Sequence, residues 1–331
     1  MSEHGFIEEK QILIEPKPVE QWSERLSIRN LLCAVDFTEY SHQALRYSIE
    51  IARHFGAHLI IQHIMVAPSE SSWSEDASGH GRERARSDRR SAQEDLRRLQ
   101  NESDIDDLNV TYLLSEGVVR SQILQTVAQK KVDLLVLGTH ARRGIKRWVE
   151  GSLAERLVHE AVCPVLVVSR PSQEAAMPLE PSSLHLRTVL LATDFSRNSD
   201  RALTYALRWA AALSGRVILL HTVETGAKAV QPFTDLLPEA DATLETRVRD
   251  AWEKLRILVP DPSRTHCQLE YEVRDGNPGE QIVDCAREKK ADLIVMGARG
   301  LGRASFAWGS TLSDVVRDGR FPVMALRQLG A

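Results

Sequence analysis

The chain contains two copies of one unit. LLCAVDFTEYSHQALRYSIEIA at 31–52 returns as VLLATDFSRNSDRALTYALRWA at 189–210. Asp36 and Asp194, and His63 and His221, are 158 residues apart. After a slip of one residue, Gly117 pairs with Gly276, Asp133 with Asp292 and Gly138 with Gly297 at 159. The spacing returns to 158 at Gly151 and Gly309, Ser152 and Ser310, and Pro164 and Pro322. A period this long means a duplicated domain, not a solenoid of short units. Residues 1–27 form an extension, 28–169 copy one, 170–186 a Pro/Ser-bearing linker and 187–331 copy two.

Within a copy, short apolar runs alternate with helical spacing. In copy one, strands are expected at 28–36, 58–66, 109–116, 131–138 and 164–168. Helices are expected from Ser41 to Phe55, near 83–101, near 119–130 and over about 152–161. Gly56 stands where a helix C-cap belongs. KVDLLVLG at 131–138 is apolar in the manner of a strand buried on both faces. The order βαβαβαβαβ requires crossover connections, hence an α/β fold with a doubly wound parallel sheet of five strands in each copy.

Composition narrows the function. The net charge is −4, with 43% hydrophobic and 27% charged residues, which suits a globular protein and argues against nucleic-acid binding. No apolar run reaches the roughly 18–20 residues of a membrane helix. The N-terminus has no basic region followed by an apolar stretch, so a cytoplasmic location is expected. Cys33, Cys163, Cys267 and Cys285 show no CxxC or metal spacing and read as reduced, buried thiols. The charge-dense stretch 69–90 reads as a solvated loop entering a helix.

Ligands of open α/β sheets collect beyond the carboxyl ends of the strands, where connections diverge. For strands one and four those ends carry Val35-Asp36 and Leu137-Gly138-Thr139-His140-Ala141 in copy one. In copy two they carry Thr193-Asp194 and Met296-Gly297-Ala298-Arg299-Gly300. Each loop then reaches Gly151-Ser152, or Gly309-Ser310 followed by Thr311, where a helix should begin. A glycine loop and a helix N-terminus offer backbone N–H donors to a phosphate, a serine adds a hydroxyl, and the aspartate accepts from a base or ribose. The same serines would serve as N-caps in any case, and the glycines would suit any sharp turn. His63 and His221 fall late in strand two and read as hydrogen-bonded strand-end residues; Trp148 and Trp308 read as packing anchors.

Taken together, the strand-one aspartate, DLLVLG and DLIVMG, the glycine loop, the GS pairs and the closing CPVLVV and FPVMAL resemble tandem universal stress protein domains. The resemblance implies strand order 3-2-1-4-5, the adenine-nucleotide alpha-hydrolase-like arrangement, with the last strands pairing to make an intramolecular pseudodimer. ATP-binding members carry G-x2-G-x9-G-(S/T), whose backbone and hydroxyl hold the phosphates while the strand-one aspartate faces the adenosine. Copy one keeps that spacing but has Ala141 where the second glycine belongs. Copy two keeps Gly297, Gly300 and Gly309 but is one residue short. Copy two (Thr193, Asp194, Met296, Gly297, Arg299, Gly300, Gly309, Ser310, Thr311) is therefore favoured as the ATP site. Copy one (Val35, Asp36, Leu137, Gly138, His140, Ala141, Gly151, Ser152) is the weaker one.

The resemblance implies a stress-response protein with ATP as regulatory ligand, any Mg²⁺ being carried by the nucleotide, and a regulatory protein as partner. No metal ligands from side chains, no membrane and no nucleic acid are expected; a homodimer of chains is compatible. No P-loop, GxGxxG or recurring catalytic triad appears, so no efficient turnover is expected, slow ATP hydrolysis staying open. The alternative is a nucleotide-free interaction module of the same fold.

Overall fold

A computed structural model describes residues 25–66, 80–102, 105–139, 153–169, 185–225, 243–298 and 310–327. Copy one runs β1 (Asn30–Val35), α1 (Glu39–Phe55), β2 (His58–Met65), α2 (His80–Glu102), β3 (Val110–Glu116), α3 (Val119–Gln129), β4 (Leu134–Thr139), α4 (Leu153–Glu160) and β5 (Val165–Ser169). Copy two runs β6 (Thr188–Ala192), α5 (Arg197–Ala212), β7 (Arg216–Glu224), α6 (Leu244–Leu258), β8 (Gln268–Gly276), α7 (Pro278–Glu288), β9 (Leu293–Gly297), α8 (Ser310–Asp318) and β10 (Val323–Leu326).

Local chemistry sets the element ends. Thr38 caps α1 by accepting from Ser41 N at 3.4 Å, and Gly56 closes it in the left-handed region at φ 63°. Ser196 and Asn277 cap α5 and α7 in the same way, with Pro278 in the first turn of α7. Strand β4 starts at Leu134, three residues later than the apolar run predicts. The reason is Asp133, whose Oδ2 accepts from the amides of Arg29 (2.8 Å) and Asn30 (2.9 Å) and so pins the entry of β1. Asp292 does the same for Arg187 (3.1 Å) and Thr188 (2.7 Å) at β6.

The two five-stranded sheets are joined, as the resemblance implies, into one ten-stranded sheet ordered β3-β2-β1-β4-β5-β10-β9-β6-β7-β8. Each half has the order 3-2-1-4-5, and neighbours within a half are parallel. The halves join through antiparallel β5 and β10, with Val165 opposite Ala325, Leu166 opposite Met324 and Val167 opposite Val323. Both strands are apolar but for Ser169 and buried throughout. Left unpaired, either would be an exposed apolar edge prone to association.

Alternate strand residues feed two cores. On one face Leu31, Cys33 and Leu191 pack under α1, α2, α5 and α6; on the other Leu32, Leu190 and Ile294 pack under α3, α4, α7 and α8. The first core crosses the seam between the halves, where Phe55 of α1 meets Trp209 of α5 at 5.6 Å between ring centroids. Trp209 is wholly buried, and its Nε1–H donates to Leu186 O at 3.1 Å. Cys33, Cys163 and Cys285 are buried as expected; Cys267 is only half-buried, because it enters the edge strand β8. No helix among the described residues is long and apolar enough to cross a membrane.

Candidate functional site

The candidate residues gather at the carboxyl rim of the sheet, where β1 leads into α1 and β4 toward α4. In copy one, Asp36 follows Val35, and its Oδ1 accepts from Thr38 N at 3.1 Å and from Thr38 Oγ1 at 2.5 Å. In copy two, Asp194 Oδ1 accepts from Ser196 N at 3.1 Å and from the Ser199 hydroxyl. One oxygen of each aspartate thus closes its own turn. Asp36 is exposed and Asp194 half-buried, so the copies differ at this point.

These turns impose an unusual backbone. Phe37 and Phe195 both sit at φ 60°, a region that bulky residues rarely enter. Each ring lies against a histidine from the neighbouring strand: Phe37 and His63, and Phe195 and His221, are both 4.4 Å apart between centroids. His63 Nδ1–H donates to Val35 O and His221 Nδ1–H to Thr193 O, each at 2.8 Å. A carbonyl can only accept, so Nδ1 carries a proton in both rings. Burial, followed by the charges of Lys254 and Arg247, holds the His221 imidazole below its ordinary value, against the Thr193 bond and Asp194. Both histidines are therefore hydrogen-bonded strand-end residues.

Gly138 and Gly297 have a steric purpose that a turn does not describe. A Cβ on Gly138 would stand 2.4 Å from Tyr40 O and 2.7 Å from Ser41 N; one on Gly297 would stand 2.9 Å from Asn198 Cβ and 3.1 Å from Ser199 N. The first turns of α1 and α5 rest directly on the ends of β4 and β9. Neither glycine has a positive φ, so close approach is the requirement. Beyond Gly297, Ala298 N donates to Leu326 O at 2.7 Å, anchoring the exit of the strand.

Among the sequence candidates, Asp36 and Gly138 stand at or just beyond the carboxyl ends of the adjacent strands β1 and β4, and Asp194 and Gly297 at those of β6 and β9. Val35, Leu137, Thr193 and Met296 are buried, and Val35 and Leu137 face opposite cores. Ser310 is the first helical residue of α8 and exposed, with Thr311 half-buried behind it. Ser310 therefore lies inside the helix rather than preceding it. His140, Ala141, Gly151, Ser152, Arg299, Gly300 and Gly309 lie outside the described residues, as do Trp148, Trp308 and residues 69–79. Sequence reasoning passed over Phe37, Phe195 and Ser199. The repeat carried a signal for all three, since Phe37 recurs as Phe195 and Ser41 as Ser199.

The chain is thus of the duplicated α/β class, its two halves sharing one sheet. A family model described as the universal stress protein family matches residues 27–169 and again 185–327. The chain belongs to the universal stress protein family. It is 30% identical over 155 residues to a universal stress protein of Methanocaldococcus jannaschii, covering 44% of this chain and 85% of that one. A universal stress protein of Thermus aquaticus is 35% identical over 148 residues, covering 43% of this chain and 98% of that protein. In structure the chain is similar to a universal stress protein of Archaeoglobus fulgidus, with TM-score 0.61 and 19% identity over 91% of this chain and 97% of that one.

Proposed function

We propose that the chain binds an adenine nucleotide, ATP with any Mg²⁺ carried on it, in the crevice beyond β6 and β9, as a regulatory ligand of a cytoplasmic stress response. The observation that carries this reading is that Asp194, just past the end of β6, and Gly297, at the end of the adjacent β9, share one sheet rim, an arrangement repeated at Asp36 and Gly138. Ser310 at the start of α8 adds a hydroxyl and the unpaired amides of a helix N-terminus, donors that suit a phosphate chain. Copy two keeps all three loop glycines and is the favoured site; Ala141 weakens copy one. Occupancy would act by shifting the population of conformations that a regulatory protein partner recognises, with no efficient turnover.

A second reading has its own support. Because Asp36 and Asp194 each spend an oxygen on the local turn, and Gly138 and Gly297 answer to helix packing, the same residues suit a nucleotide-free interaction module. Calorimetric titration of ATP and Mg²⁺ into nucleotide-stripped protein separates the two. One binding event per chain, abolished in Asp194→Ala and Gly300→Ala, is the expected result. Absence of heat together with absence of a thermal shift would leave the interaction module.

A further inference from the structure

Helix α6 sets two cations at the rim of copy two. Lys254 Nζ stands 6.0 Å from the centroid of the Phe195 ring, in the turn that joins β6 to α5. Two turns earlier on the same helical face, Arg247 Nη2 donates to Glu224 O at 3.0 Å, at the carboxyl end of β7. Both residues are exposed, and among the described residues neither is paired with a carboxylate. His221, packed on Phe195, feels the charge of both. Asp194, Phe195, His221, Arg247 and Lys254 thus form one open cluster built entirely from described residues.

The cation pair belongs to copy two alone. Buried Leu255 and Leu258 of α6 repeat Leu96 and Leu99 of α2 at a spacing of 159. The same spacing makes Asp95 the counterpart of Lys254, and Asp88 that of Arg247. Asp95 faces Arg98 of its own helix at 3.6 Å. Arg89, Arg90, Arg97 and Arg98 leave the face of Asp88 and Asp95 by helical periodicity. The rim aspartate recurs in both copies, so what differs is the charge that the covering helix brings beside it.

The cations also stand apart from the phosphate donors described above. In the sheet β6 lies between β9 and β7, so Gly297 is to one side of Asp194 and the contacts of Arg247 are to the other. Helix α8, with Ser310, packs on the opposite face of the sheet from α6. A ribose whose hydroxyl is held by Asp194 would lie between these two regions. In dinucleotide folds an acid reads a free ribose hydroxyl, and a nearby arginine is what accommodates a phosphate there. We infer that Arg247 and Lys254 form a second anion site at the copy-two rim, which takes a phosphate borne on the ribose of the nucleotide rather than on its polyphosphate chain. The inference rests on the reading of this rim as a nucleotide site.

Calorimetry on the full chain tests it with AMP, adenosine 2′,5′-bisphosphate and adenosine 3′,5′-bisphosphate, the last two each adding one ribose phosphate. The natural protein should bind one of the bisphosphates roughly tenfold more tightly than AMP, the scale of one charge-assisted contact. The double variant Arg247→Gln/Lys254→Gln should lose that preference and keep its affinity for AMP. Both side chains are exposed, so its melting temperature should match that of the natural protein. Proton NMR of His221 gives a second readout. The favoured bisphosphate should raise the pH at which this ring protonates more than AMP does, and the difference should vanish in the double variant. Equal affinity for all three nucleotides in the natural protein overturns the inference and leaves nucleotide binding standing. A preference that survives in the double variant overturns it as well. If no nucleotide binds, inorganic phosphate decides. A rise in the His221 midpoint that the double variant lacks keeps the anion site on Arg247 and Lys254 and drops only the nucleotide, whereas no rise drops both.

Discussion

His221 shows how a residue's surroundings set its chemistry. It is packed against Phe195 and tied to Thr193 O, with burial and two cations on α6 disfavouring its charged form. As pH falls through about 6.5, the unfolded chain takes up a proton at this histidine while the native protein does not until lower pH. Its contribution to stability is therefore full above that range and is lost as pH falls through it toward the depressed native value. The melting temperature of the natural protein should fall between pH 7 and 5, and His221→Gln should show a flatter profile over the same window. A parallel decline in both proteins would place the pH sensitivity elsewhere. The position of His221 in the repeat was legible in the sequence, as was its role as a bonded strand-end residue. The packing of the Phe195 ring against it was not, because the recurrence of Phe37 as Phe195 marks the position but not its left-handed backbone or the histidine it meets.

At the scale of elements, the rim is built by helices standing on strand ends. Gly138→Ala would push a methyl to within 2.4 Å of a backbone carbonyl on α1, whereas Gly297→Ala meets mainly the Asn198 side chain and nearby backbone at 2.9 Å and beyond. Overpacking costs typically 1–3 kcal/mol, and the loss should be about 3 kcal/mol at Gly138 and about 1 kcal/mol at Gly297. Denaturant midpoints of the two variants measure it, and equal midpoints would mean that the helix starts yield alike. Caps and periodicity located the elements well: Gly56 ends α1 where expected, and the charged helix expected at 83–101 runs from His80 to Glu102. What they did not indicate was the approach of α1 to β4. A glycine needed for space looks the same in a sequence as one needed for a turn, and only the crossing of the two elements distinguishes them.

Across the whole molecule, the antiparallel pairing of β5 with β10 and the core shared by Phe55 and Trp209 make the two halves one body. The full chain should melt in a single calorimetric transition, because neither half can lose its structure without exposing the apolar seam of the other. Two resolved transitions would show that the seam is weaker than its burial indicates. Substituting Met324 on β10, wholly buried opposite Leu166, by Asp should lower that single transition as a unit, since an unpaired carboxylate would be forced into both halves' core.

The sequence by itself determined the duplication, the βα alternation, the parallel order within each half and the candidate rim residues. These follow from local periodicity, capping and the agreement of two copies, all of which are written along the chain. Tertiary structure alone decided the antiparallel register in which β5 meets β10, that Gly138 and Gly297 make room for helices, and that Lys254 of α6 stands over the ring of Phe195. Each depends on residues far apart in sequence meeting in space. Close approach, strand register and the reach of a helix over a distant turn are properties of the packed assembly, and no stretch of chain carries them alone.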